Sequence, residues 1–266
     1  MPSPSFPSAA IASGRARRAP RGGYAGRQPL PRGPRTARGE AARERIKEAA
    51  RITFNRMGYR RARVVDITTE AQVASGLFYR YFQDLREIAA ELCGEMIAPF
   101  LAIDEAMDGD AADRLFEKLR IHHAIQTGNY LRNPGLMRAW VPLSEDSPKS
   151  LAAAHADYQR YLEYLVTDRW PEPGAPPSPG SARALMLGYA ALGAGEMPMV
   201  AYANWRLRSL RPLELAEDAL AEWLALIVYR MFRGRDPAPG SLRHADALAA
   251  LPFLSGLAGH PSPGVR

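Results

Sequence analysis

A single cysteine, Cys93, stands in a chain of 266 residues. One thiol can build neither an internal disulfide nor a cysteine metal cage, which fits a reducing compartment. Histidine is also sparse. His155, His244 and His260 are scattered, while His122 and His123 are adjacent. Neighbours point about 100° apart on a helix, unlike the i,i+4 pair of a helical metal site. No P-loop, nucleophile elbow or strand-glycine-helix dinucleotide fingerprint occurs, and Gly193-x-Gly195 has no strand before it. Glu95, Asp104 and Glu105 do not form a di-metal pattern. The expectation is a protein that is not an enzyme and uses neither metal nor cofactor. Alternating strand patterns and internal repeats are absent, which points to an all-α chain. No apolar run reaches the roughly 18 residues of a membrane span, and Ala9–Ala12 is too short for a secretory core. A cytoplasmic protein without a membrane partner is expected.

Acid is missing from residues 1–39, which hold eight arginines. Residues 40–90 carry ten Lys/Arg against seven Asp/Glu, and residues 91–266 carry seventeen against twenty-one. The overall +7 is therefore +11 up to residue 90 and −4 beyond it. This asymmetry suggests a polyanion partner for the front of the chain, or a solubilising tail in residues 1–39. That stretch is rich in Pro, Gly, Ser and Arg and buries too little to offset its ordering entropy, so it reads as a disordered basic tail.

From Glu40 the pattern turns helical. Ile46, Ala50, Thr53, Phe54 and Met57 recur on one face, with Arg43, Arg45, Lys47 and Arg51 pointing elsewhere. Gly58 suits a helix stop, and the basic cluster Arg60, Arg61, Arg63 follows Tyr59. Two short helices, 64–71 and 74–82, flank a turn near Gln72. Further helices are expected over 84–105, 110–127, near 134–140, 147–170, 181–206 and 212–233. Breaks fall at Gly109-Asp110, Asn133-Pro134-Gly135 and the proline-rich stretch 171–180. Pro99 and Pro198 should kink or end their helices. Residues 234–266 read as a mostly disordered tail with at most a short helix around 242–254. The domains expected are a helix-turn-helix unit over 40–86 and a helical effector-binding and dimerisation unit over 87–233.

The pair 64–82 has the outline of a helix-turn-helix, whose second helix enters the DNA major groove. Phe78 and Phe82, with Val73 and Leu77 nearby, should pack on the 46/50/54/57 face. Ser75, Gly76, Tyr79, Arg80 and Tyr81 are then left outward, with Leu77 at the border. Arg80 can bind guanine O6 and N7 together, Tyr79 and Tyr81 can donate to phosphate, and Leu77 can touch a thymine methyl. Gly76 lets the helix N-terminus, with its free N–H groups, come close to phosphate. The two tyrosines could equally be ordinary surface aromatics.

Residues 43–92 resemble the N-terminal domain of the TetR family of transcriptional regulators. The resemblance runs through RERIKEAARITFNRMGY, VVDITTEA and SGLFYRYF to DLREIAAEL. Gly58-Tyr59, Asp66-Ile67, Ala71-x-Val73 and Gly76-x-x-Tyr79-x-x-Phe82 keep the family register. It implies that Tyr79 contacts phosphate while Ser75, Leu77 and Arg80 face bases. This chain departs from the pattern at four places. Gln72 replaces the turn glycine, where a left-handed conformation would cost roughly 1 kcal/mol. Ala74 replaces the capping serine, a loss of about 1 kcal/mol unless Ser75 takes over. Ala62-Arg63 stands where a threonine usually opens the second helix. Leu85 replaces the phosphate-binding lysine of the fourth helix, with Arg86 or the Arg60/Arg61/Arg63 cluster as substitutes.

NPGLMRAW, LGYAALGAGEMPMVAYANW and AEWLALIVYRMF resemble pieces of the family's C-terminal domain more loosely. This implies a homodimer paired through helices near 181–206 and 212–233. Gly188, Gly193, Ala194 and Gly195 permit close helix approach within or between subunits. Candidate effector liners are Met96, Phe100, His122, Tyr130, Met137, Trp140, Tyr158, Met186 and Tyr189, since Met and aromatic side chains suit an adaptable apolar pocket and equally suit plain core. With no basic cluster in this half, an apolar or aromatic effector is expected. The function implied is a repressor released from a palindromic operator on double-stranded DNA by a small molecule. The alternative is a helical ligand-binding or interaction protein that keeps the fold without sequence-specific DNA binding.

Overall fold

The structure, a computed structural model, describes residues 36–107, 113–146, 148–168, 178–210 and 215–246. Among these, nine α-helices and no β-strand occur. They are α1 (Ala37–Met57), α2 (Val64–Glu70), α3 (Ser75–Tyr81), α4 (Leu85–Leu101), α5 (Arg114–Arg132), α6 (Pro134–Asp146), α7 (Pro148–Thr167), α8 (Pro179–Met199) and α9 (Glu217–Arg233). The expected tail over residues 1–35, the break at Gly109-Asp110, most of the proline-rich stretch and the tail beyond residue 246 lie outside the described residues.

α1 starts three residues earlier than expected because Thr36 caps it, its hydroxyl accepting from the Gly39 N–H at 3.1 Å. The helix ends at Gly58, which takes φ 80° and donates its N–H to Phe54 O. Ile46, Ala49, Ala50 and Phe54 form its buried stripe and meet Ile67, Phe78 and Phe82 in the first core. Burying each of these large side chains contributes about 1.5–3 kcal/mol. The cations of α1 are less idle than expected. Arg43, Lys47 and Arg51 reach across to Glu91 and Glu95 on α4, and Lys47 is buried. Arg43 also lies over the Phe82 ring at 4.9 Å. These pairs fasten the back of the three-helix unit α1–α3 to α4.

The turn between α2 and α3 is a Schellman motif. Val73 N–H donates to Thr68 O at 2.9 Å and Gln72 N–H donates to Thr69 O at 3.1 Å. Gln72 sits at its left-handed position with φ 53°. α4 begins firmly: Asp84 Oδ1 accepts from the N–H groups of Arg86 and Glu87 at 2.9 and 3.0 Å, and Glu87 reaches back to the Gln83 N–H.

α4 links two layers. Its first half belongs to the core of α1–α3, joined by Leu136, Leu143 and Leu151. Phe100 near its end joins a second core with Phe116, Leu119, Tyr161, Leu162, Ala225 and Tyr229 from α5, α7 and α9. α5 runs on to Arg132, and Pro134 opens α6 after a single linking residue, so Asn133-Pro134-Gly135 is a tight corner. α6 extends to Asp146, six residues past the expected end. α8 continues through Pro198, which has no N–H to donate, and then widens into a π turn over Val200–Asn204 closed by Trp205 N–H to Val200 O.

Two expectations change here. The segment Gly180–Asn204 is long and apolar enough to cross a membrane: an 18-residue window within it has mean hydropathy 1.3, and 28% of that window is buried. Its alanines and glycines hide that character when only bulky residues are counted. Residues 234–246 are also more fastened than a loose tail. Buried Glu222 accepts from the backbone N–H groups of Arg243 and His244 at 2.9–3.0 Å, and Leu242 packs on the second core.

Candidate nucleic-acid interface

The exposed face of α3 carries Ser75, Gly76, Tyr79 and Arg80, with Leu77 half-buried at its edge. Phe78 and Phe82 are fully buried, and the Phe78 ring meets the Tyr79 ring edge-on at 5.5 Å. Core packing on one side thus fixes a phenol that is 58% exposed on the other. A Cβ built on Gly76 meets nothing within 4 Å, so this end of the helix is open to an approaching surface.

Tyr81 corrects the expected set. It is only 5% exposed and joins the first core. The helix turns about 100° per residue, so two residues beyond Tyr79 its side chain has swung inward. It is removed from the outward residues.

Arg60, Arg61 and Arg63 are exposed around the short 3-10 turn Tyr59–Arg61, and Arg86 is exposed at the start of α4. Arg61 Nε donates to Met57 O at 2.7 Å, closing the end of α1. The side chains of Arg60, Arg63, Arg80 and Arg86 have no ion pair or hydrogen bond among the described residues. Asp66 accepts from the Arg63 backbone N–H at 2.9 Å, which fastens the entry to α2, but the first-turn N–H groups receive no side-chain cap from Arg63. Ala74 gives α3 no side-chain cap, and Ser75 does not take over. These groups can hold a polyanion: α3 projects a tyrosine and an arginine, and Arg60, Arg63 and Arg86 on the elements before and after it are exposed.

The second half brings only some of the expected effector liners together. The Phe100 ring meets those of His122, Tyr158 and Tyr161 at tilted or edge-on angles, with centroid distances of 5.0, 5.9 and 5.3 Å. His122 and His123 are fully buried, and burial drives the His122 pKa well below the ordinary histidine range and the His123 pKa down to about 4. Tyr130 donates to Glu196 Oε1 on α8 at 2.6 Å. Met96 lies in the first core, its carbonyl accepting from Asn129 Nδ2. Met137 and Trp140 are half-buried against that core, Trp140 edge-on to His155 at 4.9 Å. Met186 and Tyr189 are corrections: they are 72% and 49% exposed on the outer side of α8. The α8 helix buries Leu192 and Met199 instead, and the apolar content of both faces hid which one turns inward. The polar members of this region, Gln126, Tyr161 and Glu196, belong to no local motif that would single them out. Tyr130 also lines a groove of about 320 Å³ with Pro134, Tyr202 and Arg206 at the α5–α6 corner. A larger groove of about 410 Å³ runs between Ala90, Gly94 and Ala98 of α4 and Ala153 of α7. Cys93 is buried, which pushes its thiol pKa up to about 12. Among the described residues no group of three or more His, Cys, Asp or Glu could hold a metal ion.

Residues 46–92 match the family model of bacterial regulatory proteins, tetR family. No curated protein sequence matches the chain. Three solved structures share its fold. The fatty acid degradation regulator FadR from Bacillus halodurans is 17% identical, with TM-score 0.51, over 74% of this chain and 96% of that one. The transcriptional regulator FadR from Bacillus subtilis, solved with stearoyl-CoA, is 16% identical, with TM-score 0.52, over 73% and 99%. A TetR-like transcriptional regulator from Rhodococcus is 18% identical, with TM-score 0.50, over 77% and 100%. At this identity the likeness is one of fold.

Proposed function

We propose that this chain, whose residues 46–92 match the tetR family of bacterial regulatory proteins, is a homodimeric transcriptional repressor released from a palindromic operator by a small molecule. The observation that carries the reading is the outward pair Tyr79 and Arg80, held on the buried Phe78 and Phe82. In this reading Tyr79 donates to a phosphate, Arg80 and Ser75 face base edges with Leu77, and Arg60, Arg63 and Arg86 neutralise backbone charge. Arg86 takes the place of the family lysine at Leu85. Such a protein acts where the chromosome is, in the cytoplasm.

Two copies would place two α3 helices in successive major grooves, so operator symmetry would mirror protein symmetry. The outer side of α8 offers Met186, Tyr189 and Met197 for that pairing, and α9 adds Trp223, Ile227 and Met231 at i,i+4,i+8. An effector between α5, α7 and α8 would bias the separation of the two reading heads, and a mismatch with the half-site spacing would lower affinity.

The test is a footprint and gel shift on the DNA flanking the gene itself. A protected palindrome whose affinity falls steeply with salt is expected. Arg80→Ala should lose about 1–3 kcal/mol on the cognate site and relax the preference at one base pair. Equal weakening on every sequence would make Arg80 a phosphate contact, and the absence of any specific salt-sensitive complex would leave a ligand-binding protein that only keeps the fold.

A further inference from the structure

α8 ends in an uncommon way. After the π turn Val200–Asn204, Trp205 N–H donates to Val200 O at 2.9 Å and Leu207 N–H donates to Ala201 O at 3.2 Å. Arg206 stands between them in the left-handed region, with φ 50°. Glycine fills such a stop at least cost, and an arginine is strained there. No contact of the side chain offsets that strain: the Arg206 guanidinium has no ion pair or hydrogen bond among the described residues. Strained backbone and π turns both concentrate at functional sites.

The same turn forms one wall of the groove of about 320 Å³ at the α5–α6 corner. Tyr202, Arg206 and Leu207 line it from this side, Tyr130 and Leu131 from the end of α5, and Pro134 from the start of α6. The lining is apolar and aromatic, with one cation and no acid. Leu131 and Leu207 are 39% and 42% exposed, so the groove keeps large apolar side chains in contact with water. The Tyr130 hydroxyl is engaged by Glu196 Oε1 at 2.6 Å, whereas that of Tyr202 has no partner among the described residues. Apolar walls with a few polar groups are the composition of a small-molecule site, and the volume suits a small ring compound. The polar groups here are a guanidinium, which can only donate, and a phenol, which can donate. Both fit an acceptor that carries negative charge.

We infer that this groove binds a small aromatic carboxylate, its ring against Tyr202, Leu131 and Pro134 and its carboxylate on Arg206. A flat ring packs well on tyrosine and proline, and a planar guanidinium can take both carboxylate oxygens at once. The site lies outside the layer of α5, α7 and α8, so it is a ligand site beyond the one in the regulator reading. Its position still bears on the reading unit. Pro134 precedes Gly135, where a Cβ would stand 2.2 Å from Phe54 O, so a ligand seated on Pro134 presses on the contact between α6 and α1.

The test uses the full chain and two series: benzoate, benzamide and benzylamine, and 2-naphthoate, 2-naphthamide and 2-naphthylmethylamine. Binding is followed by calorimetry at pH 7. In at least one series the carboxylate should bind about ten-fold or more tightly than its amide and its amine. Arg206→Gly removes the guanidinium and relieves the left-handed strain. It should keep or raise the melting temperature and remove the carboxylate preference. Arg206→Gln, which keeps a long side chain without the charge, should also remove it. Tyr202→Leu should weaken carboxylate and amide several-fold alike, leaving their ratio unchanged. An amide or amine that binds as well as the carboxylate in both series, a preference that survives both Arg206 variants, or no binding at millimolar concentration overturns the proposal. A marked fall in melting temperature on Arg206→Gly would tie the side chain into the fold and overturns it as well. A gel shift on the flanking DNA, run in parallel, keeps this site separate from the regulator reading. Arg206-dependent carboxylate binding without any operator complex upholds the site and overturns the regulator. An operator complex with no carboxylate binding does the reverse.

Discussion

Asn55 clamps the corner that contains Gly135. Its Oδ1 accepts from the Gly135 N–H at 2.8 Å, and its Nδ2 donates to Arg132 O at 2.9 Å. One side chain near the end of α1 thus holds both the last residue of α5 and the start of α6. Gly135 has no room for more than hydrogen, since a Cβ there would stand 2.2 Å from Phe54 O. Arg132 is tied in turn to Glu217 at the start of α9, at 2.7 and 3.0 Å. The reading unit, the effector layer and α9 therefore meet at one corner, two residues after Tyr130.

If that corner sets the angle of the reading head, loosening it should blur the operator geometry. Gly135→Ala should cost about 1–3 kcal/mol by forcing α6 off α1. Asn55→Ala should cost about 1–3 kcal/mol from the groups left unpaired. Operators with half-sites moved by one base pair provide the readout. The wild-type protein should reject them, and Asn55→Ala should reject them less. An unchanged spacing preference would show that the corner holds the fold without orienting the head.

Gln72 makes a second prediction from backbone geometry. It occupies the left-handed position of the Schellman turn with φ 53°, which costs a non-glycine residue roughly 1 kcal/mol or more. Gln72→Gly should therefore raise stability by about 0.5–1 kcal/mol, the gain being trimmed by the greater freedom of glycine in the unfolded chain. Ala74→Ser should add about 1 kcal/mol through the missing cap. Urea titration measures both. A loss on Gln72→Gly would mean that the glutamine side chain makes a compensating interaction.

The reading head was legible in the sequence because its constraints are local. The spacing of Ile46, Phe54, Phe78 and Phe82 needs only helical periodicity, and Gly58 and the atypical Gln72 announce their backbone angles. Tyr81 was misread because α3 is short, and one residue of rotation decides which side faces the core. The effector layer was far less legible. Whether Met186 or Met199 turns inward depends on which side of α8 meets α5 and α7, a long-range fact that no local pattern carries. Glu196 owes its contact to Tyr130, on another helix and 66 residues away in the chain.

The buried histidines predict a pH dependence. His123 has its pKa lowered to about 4 and His122 lower still, burial being the main cause, with His123 adding to the shift of His122. Above the unfolded value near 6.5 both are neutral in either state and stability is full. Below it the unfolded chain takes up protons that the folded chain refuses, so stability falls as pH drops from about 6.5 toward 4. For His123 alone the loss is roughly 3 kcal/mol across that window. Urea midpoints at pH 7 and pH 5 should differ, and His123→Gln should flatten the slope. A flat profile in the wild type would place a compensating acid or water at these rings.

The apolar outside of α8 calls for a cover. Met186 and Met197 are 72% and 55% exposed on the apolar segment Gly180–Asn204. Exposed apolar surface of this kind marks an interface, and a two-fold partner presents the same surface back to it. Met186→Asp would set like charges against each other across the axis. The expected result is monomer in sedimentation velocity where the wild type is dimer, with helical content retained. Affinity for the full palindrome should fall by about ten-fold or more while the weak binding to an isolated half-site stays. A variant that remains dimeric would move the interface elsewhere, and wild-type protein that floats with lipid vesicles and loses this on Met186→Asp would assign the face to a membrane.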